Sequence, residues 1–245
     1  MPETSIRFTR RSLLTAASVG AASAALSACT STRQASAPAP AAPPVTAFTS
    51  GPAADYAALS DGGYDLPAIP FERVNPRYYR QSVVNTTGEE PGTVVVDTGN
   101  HFLYYTMPFG QAMRYGVGLG RAGFEWSGRG EIEWKQAWPR WFPPDEMIDR
   151  QPELEPYRAE YDPTTRTWLG GMQPGLQNPL GARALYIYQD GKDTLYRIHG
   201  SPEWNSIGTS VSSGCVRMIN QDVIDLYNRV PEKTPIVVTS GVRVA

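Results

Sequence analysis

Between residues 92 and 240, apolar and β-branched residues fall in short runs bounded by turn residues, the signature of strands. The runs are "GTVVVDT" (92–98), "HFLYYTM" (101–107), "MRYGVGLG" (113–120), "ARALYIYQ" (182–189), "DTLYRIHG" (193–200) and "TPIVVTS" (234–240). Gly99-Asn100 and Asp190-Gly191-Lys192 supply hairpin breaks between neighbouring runs. One segment has a helical period instead. In "NQDVIDLYNRV" (220–230) Val223, Ile224, Tyr227 and Val230 share a face. Asn220 suits an N-cap, Asp222, Asp225 and Arg229 suit the helix dipole, and Pro231 stops the helix. Residues 121–181 hold Trp126, Trp134, Trp138, Trp141 and Trp168 among many Pro and Gly, which argues against long regular elements there. The pattern predicts a mainly β fold: a twisted β sandwich or open barrel with one or two helices and a long Trp/Pro-rich insertion. Insertions of that length are usually functional.

The first 65 residues have a different character. Arg10-Arg11 precede an uncharged run from Ser12 to Ala28, a secretory signal by pattern. "TRRSLL" resembles a twin-arginine export signal. The run is short and rich in Ser, Thr and Gly, unlike the stretch of about 20 apolar residues that spans a bilayer. Leu26-Ser27-Ala28-Cys29 resembles a bacterial lipobox, so Cys29 is expected to carry lipid; a plain cleavage near "LSA" is the other reading. Stable anchoring needs more than one acyl chain, which lipoprotein processing supplies. The Ala/Pro-rich stretch from 29 to 65 cannot bury enough surface to fold and reads as a semi-rigid tether. The division is thus signal (1–28), tether (29–65), lead-in (66–91) and folded domain (92–245).

Charge narrows the partners. The chain has a formal net charge of −2, which becomes −4 when Glu3, Arg7, Arg10 and Arg11 leave with residues 1–28. No basic run supports nucleic-acid binding. No His/Cys/Asp cluster suggests a metal, and no cofactor is expected. Gly118, Gly120 and Gly123 fit a dinucleotide-binding spacing, but no helical pattern follows to present its N-terminus to phosphates.

With Cys29 set apart, Cys215 is the other cysteine of the chain, in "SVSSGCVRM". A free thiol is mostly protonated near neutral pH, and a neighbouring base makes it a nucleophile. The chain has two histidines. His101 reads as an exposed strand-end residue. His199 ends a strand, shares by alternation a face with Arg197 and Leu195, and stands 16 residues before Cys215 across a turn-rich loop. The Gly200 carbonyl could orient its Nδ1, and the backbone around Gly214 could form an oxyanion hole. The bland reading, that Cys215 is a small buried hydrophobe, sits poorly with neighbours Ser212, Ser213, Gly214 and Arg217.

These residues resemble the L,D-transpeptidase catalytic domain, the YkuD family. His199-Gly200 followed by Ser212-Ser213-Gly214-Cys215-Val216-Arg217 matches its motif, and the resemblance covers about residues 92–240. Ser213 stands where many members have His, which leaves base duty to His199. The resemblance implies acyl transfer on peptidoglycan stem peptides: Cys215 as nucleophile, His199 as base, a thioester and then a 3→3 cross-link. Arg217 could bind a substrate carboxylate or brace the loop; Tyr186, Trp204, Ser212 and Ser213 could line the site. Two alternatives stay open. One is hydrolysis or protein-to-peptidoglycan attachment by the same pair; the other is a non-catalytic wall-binding lipoprotein. Export and lipidation imply a periplasmic, membrane-anchored protein.

Overall fold

The computed structural model describes residues 51–120, 127–212 and 215–239. Cys29 and the expected signal lie outside them, as do Ser213, Gly214 and residues 121–123 of the Gly118–Gly123 spacing.

Regular structure starts earlier than the Ala/Pro composition predicts. Pro52–Asp55 forms a helical turn, α1, and β1 (Leu59–Asp61) pairs with β2 (Tyr64–Leu66). The tether expected over 29–65 therefore gives way to folded chain by residue 51. Aromatic residues explain the difference. Tyr56 is buried in a cluster with Val74, Ile207 and Ile219. Tyr64 packs on Trp138, whose Nε1–H donates to Asp61 at 2.8 Å. Burying one such side chain is worth about 1.5–3 kcal/mol, enough to order a short segment.

The remaining elements follow in chain order: β3 (Gln81–Val84), β4 (Val94–Asp97), β5 (Phe102–Met107), β6 (Gln111–Gly116), β7 (Leu119–Gly120), β8 (Gly128–Ala137), α2 (Asp145–Arg150), β9 (Glu160–Asp162), β10 (Thr167–Leu169), β11 (Arg183–Gln189), β12 (Lys192–Ser201), β13 (Ser210–Ser212), β14 (Val216–Ile219), α3 (Asn220–Arg229) and β15 (Thr234–Thr239). Nine strands form one mixed sheet in the order β14-β12-β11-β8-β15-β4-β5-β6-β3. The pairs β12–β14 and β15–β4 are parallel. Gly118, just past β6, exchanges backbone hydrogen bonds of 2.9 and 2.8 Å with Arg217 on β14. The chain leaving one end of the sheet is thus tied to its other edge. One interior then collects Leu103, Tyr115, Ile132, Leu185, Ile198 and Val216, with Leu226 of α3. The fold is mainly β with few helices, as the pattern predicts.

Two local expectations change. Residues 121–181 contain β8, a ten-residue strand between β11 and β15. Its period is masked because Gly128 and Gly130 open it and a register shift opposite Tyr186/Ile187 interrupts the alternation. Lys233 meets the carboxylates of Glu131, at 3.7 Å, and Glu133. Asn220 is the first residue of α3 and not its cap; Ile219 precedes the helix with no side-chain cap bond. The other end of α3 is capped by Lys135, whose Nζ donates to the carbonyls of Tyr227 (2.8 Å) and Val230 (2.6 Å).

The lead-in segment is built into the domain by buried polar contacts. Arg80 donates to Asp55 at 2.8 Å and lies 3.7 Å from Asp222 and 3.8 Å from Asp225 on α3. The Tyr56 hydroxyl donates to Asp222 at 3.3 Å. Burial pushes the Asp222 carboxyl up to about 7 even though Arg80 pulls it down.

Candidate active site

β12 delivers His199, and β14 begins one residue after Cys215. These strands are parallel, with Ile198 level with Val216 and His199 level with Arg217. Cys215 accordingly sits beside Arg197, whose backbone amide hydrogen-bonds the sulfur. Ile198 and Val216 point into the core. Alternation sends Arg197, His199 and Arg217 to the opposite face. The strand pairing thus sets the backbones of His199 and Cys215, 16 residues apart in the chain, at neighbouring positions of one sheet edge.

His199 is buried, at 5% exposure. Its Nδ1 lies 2.6 Å from the Gly200 carbonyl oxygen. With its proton on Nδ1 the neutral ring donates to that carbonyl and carries its lone pair on Nε2; the Pro179 carbonyl also faces the ring. Burial pushes the imidazole down to about 4, helped by the charges of Arg217 and Arg197 and opposed by the carbonyls of Gly200 and Pro179. Cys215 is half-buried. Burial raises its thiol, while the Arg197 amide and the charges of Arg197 and Arg217 pull it down. Both shifts favour a neutral thiol beside a neutral imidazole. Such a pair can pass the sulfur proton to nitrogen as the sulfur attacks.

The end of β12 is held by Asn220. Its Oδ1 accepts from the Ala182 amide at 2.9 Å, and its Nδ2 donates to the Ser201 carbonyl at 3.2 Å. A Cβ at position 200 would stand 2.2 Å from Asn220 Oδ1 and 3.1 Å from the Ala182 nitrogen. Gly200 is therefore demanded by this close approach, and its backbone carbonyl orients His199. A single side chain on α3 locks the strand end that carries His199.

The other expected residues divide. Arg217 is braced: its side chain pairs with Glu203 and its backbone with Gly118. Trp204 packs toward the lead-in segment, with the Arg73 guanidinium 5.3 Å from its ring centre. With Leu66, Ile69, Ser201 and Gln221 it lines a cavity of about 210 Å³. Tyr186 lies on β11 level with Arg197. Ser212 ends β13, whose backbone pairs with β7. Ser213 and Gly214, with the oxyanion-hole expectation, lie outside the described residues. Among the described residues, no group of three or more His, Cys, Asp or Glu is placed to hold a metal.

Four neighbours escaped the sequence reading. Arg197 lies on the row already singled out for His199, but its approach to Cys215 depends on β14. Trp134 stands on the unforeseen β8. Asn220 reads as a cap until its tertiary partners are seen. His101 is not a plain exposed residue: it is half-buried, takes a φ of 59°, and places Nε2 3.0 Å from the Ser210 hydroxyl, ahead of the cysteine loop.

A mixed sheet carries a carbonyl-oriented imidazole on β12, and a thiol stands just before the neighbouring strand β14. Residues 91–238 match the model of the L,D-transpeptidase catalytic domain, YkuD. The chain belongs to that family. It is 32% identical over 148 residues to the probable L,D-transpeptidase YbiS of Escherichia coli K12, covering 58% of this chain and 42% of that protein. It is 30% identical over 170 residues to the probable L,D-transpeptidase ErfK/SrfK of Salmonella typhimurium, covering 68% of this chain and 46% of that protein. The chain thus spans less than half the length of these relatives. A solved structure described as a probable carnitine operon oxidoreductase, caia, from Brucella melitensis is 42% identical, covering 69% of this chain and 99% of that one, with a TM-score of 0.45. That description belongs to that protein, and a score below 0.5 carries no argument about this one.

Proposed function

We propose that this chain is a peptidoglycan L,D-transpeptidase that forms 3→3 cross-links through a thioester on Cys215. One observation carries the reading. In a member of this family, a buried imidazole has its Nδ1 committed to the Gly200 carbonyl, and its strand pairs with the one that Cys215 leads into. The Cys215 proton passes to His199 Nε2 as sulfur bonds to the carbonyl carbon of the third stem residue. The bond to the terminal D-alanine breaks, and the imidazolium returns the proton to the departing amine. The amine of a neighbouring stem then attacks the thioester, gives its proton to His199, and sulfur leaves and is reprotonated. Arg217, held by Glu203 and Gly118, braces the cysteine loop. Export on the N-terminal signal and lipidation at Cys29 belong to the same proposal, since the substrate is extracytoplasmic; the Ala/Pro tether supports it.

The test is covalent labelling with a carbapenem, read by mass spectrometry. One adduct on Cys215 is expected. Cys215→Ala should carry none, and His199→Ala should be acylated about 10²–10⁴-fold more slowly. An adduct on the Cys215→Ala protein overturns the assignment. With a tetrapeptide muropeptide as substrate, dimer formation is expected; tripeptide alone would mean hydrolysis.

A further inference from the structure

A row of flat groups crosses three strands on the outward face and ends at the thiol. Trp134 on β8 is level with Tyr186 on β11, which is level with Arg197 on β12. The indole and phenol rings stack, 3.6 Å between centres and 9° between planes. The Arg197 guanidinium stands 4.5 Å from the Tyr186 ring centre. Asp193 holds that guanidinium with two hydrogen bonds of 2.7 and 2.8 Å. Tyr186 thus has a planar partner on both sides. The next residue along, past Arg197, is Cys215, through the contact of its sulfur with the Arg197 amide.

Trp134 needs an explanation. It is paired with β11 on one side, lies past Ile132, where the pairing with β15 stops, and is 37% exposed. An indole already backed by a fixed ring has lost its rotamer freedom, so a ligand that stacks on it pays little ordering entropy. Gln136, two residues on and on the same face, is exposed and offers an amide beside it; its Oε1 accepts from the Tyr186 hydroxyl at 3.4 Å. A flat aromatic surface flanked by an amide suits a pyranose ring, which presents C–H groups to the indole and hydroxyl or acetamido groups to the amide.

The distance supports the same occupant. Neighbouring strands lie about 4.8 Å apart, so three steps from β14 to β8 span about 14 Å. From the attacked carbonyl of the third stem residue, three extended residues and a lactyl arm of roughly one residue's length reach about 13–14 Å, which is where the sugar begins. We infer that Trp134, backed by Tyr186 and Arg197, is a glycan subsite that stacks a hexosamine ring of the strand bearing the donor stem peptide. This rests on the peptidoglycan reading above and adds to it a preference for sugar-linked over free peptides.

Binding is measured by calorimetry on the full chain carrying Cys215→Ala, which cannot react. The ligands are a tetrapeptide and the same tetrapeptide joined to its disaccharide. The disaccharide form is expected to bind roughly tenfold more tightly, the scale of one stacking contact. Adding Trp134→Ala should bring the ratio to about one, and Trp134→Phe should restore part of it; a purely structural role would not move this ratio. Equal affinity for the two ligands with Trp134 present, or a preference that survives Trp134→Ala, overturns the subsite, as does failure of both ligands to bind. Turnover of free tetrapeptide by the wild-type chain tests the transpeptidase reading separately.

Discussion

Burial takes the proton from His199 and keeps one on Cys215. The resting pair is then neutral, and its pH behaviour follows. His199 is already a base above about 4, and the thiol stays protonated well beyond neutrality. Carbapenem acylation rates should run on a plateau from about pH 5 to 8, with the acid limb near pH 4. An inflection near 6.5, the value of a solvated imidazole, would instead indicate a charged resting pair. The same shift acts on stability. The folded value lies below the unfolded one, so the unfolded chain takes the proton first as pH falls. Stability contributed by neutral His199 is present above about 6.5 and lost toward pH 4. His199→Gln should flatten that part of a Tm-against-pH curve.

Strand ends do the positioning. β12 carries His199 and stops where Asn220 grips Ala182 and Ser201. Asn220→Ala leaves a buried amide hydrogen and a buried carbonyl without partners, at a cost of about 1–3 kcal/mol each. The expected outcome is a lower denaturation midpoint together with slower acylation of Cys215. Urea melts and mass spectrometry read the two effects, and normal acylation in a destabilised variant would separate Asn220 from the site. β8 matters at the same scale, because it alone places Trp134 in the row that leads to the thiol.

Over the whole molecule, the catalytic sheet depends on chain that precedes it. Tyr56 and Arg80 meet Asp222 on α3, Asp55 holds Arg80, and the carbonyls of Ala57 and Pro67 accept from Gln221. Asp61 holds Arg183 with bonds of 2.7 and 2.8 Å at the start of β11. A chain starting at residue 81 loses all of these and exposes Asp222 and Gln221 without partners. It should melt well below a chain starting at residue 51, by more than the few degrees that a surface change produces. Equal melting temperatures would show that residues 51–80 are dispensable.

What the sequence determined by itself was local. β-branched runs, turn residues and the period of 220–230 are short-range signals, and six strands and α3 were legible from them. The resemblance of His199-Gly200 and Ser212 to Arg217 to a family motif pointed to the chemistry; from the residues alone, a lone thiol and a strand-end imidazole suggested a pair. Tertiary structure decided the rest. β8 was hidden because pairing on both edges, and not alternation, makes it a strand. Tyr56 looked like part of a tether because its burial depends partly on Ile207 and Ile219, more than 150 positions away. The stack on Trp134, the bracing of Arg217 and the double role of Asn220 all join distant segments. Contacts of that kind arise from the closure of the sheet, which no local window of sequence contains.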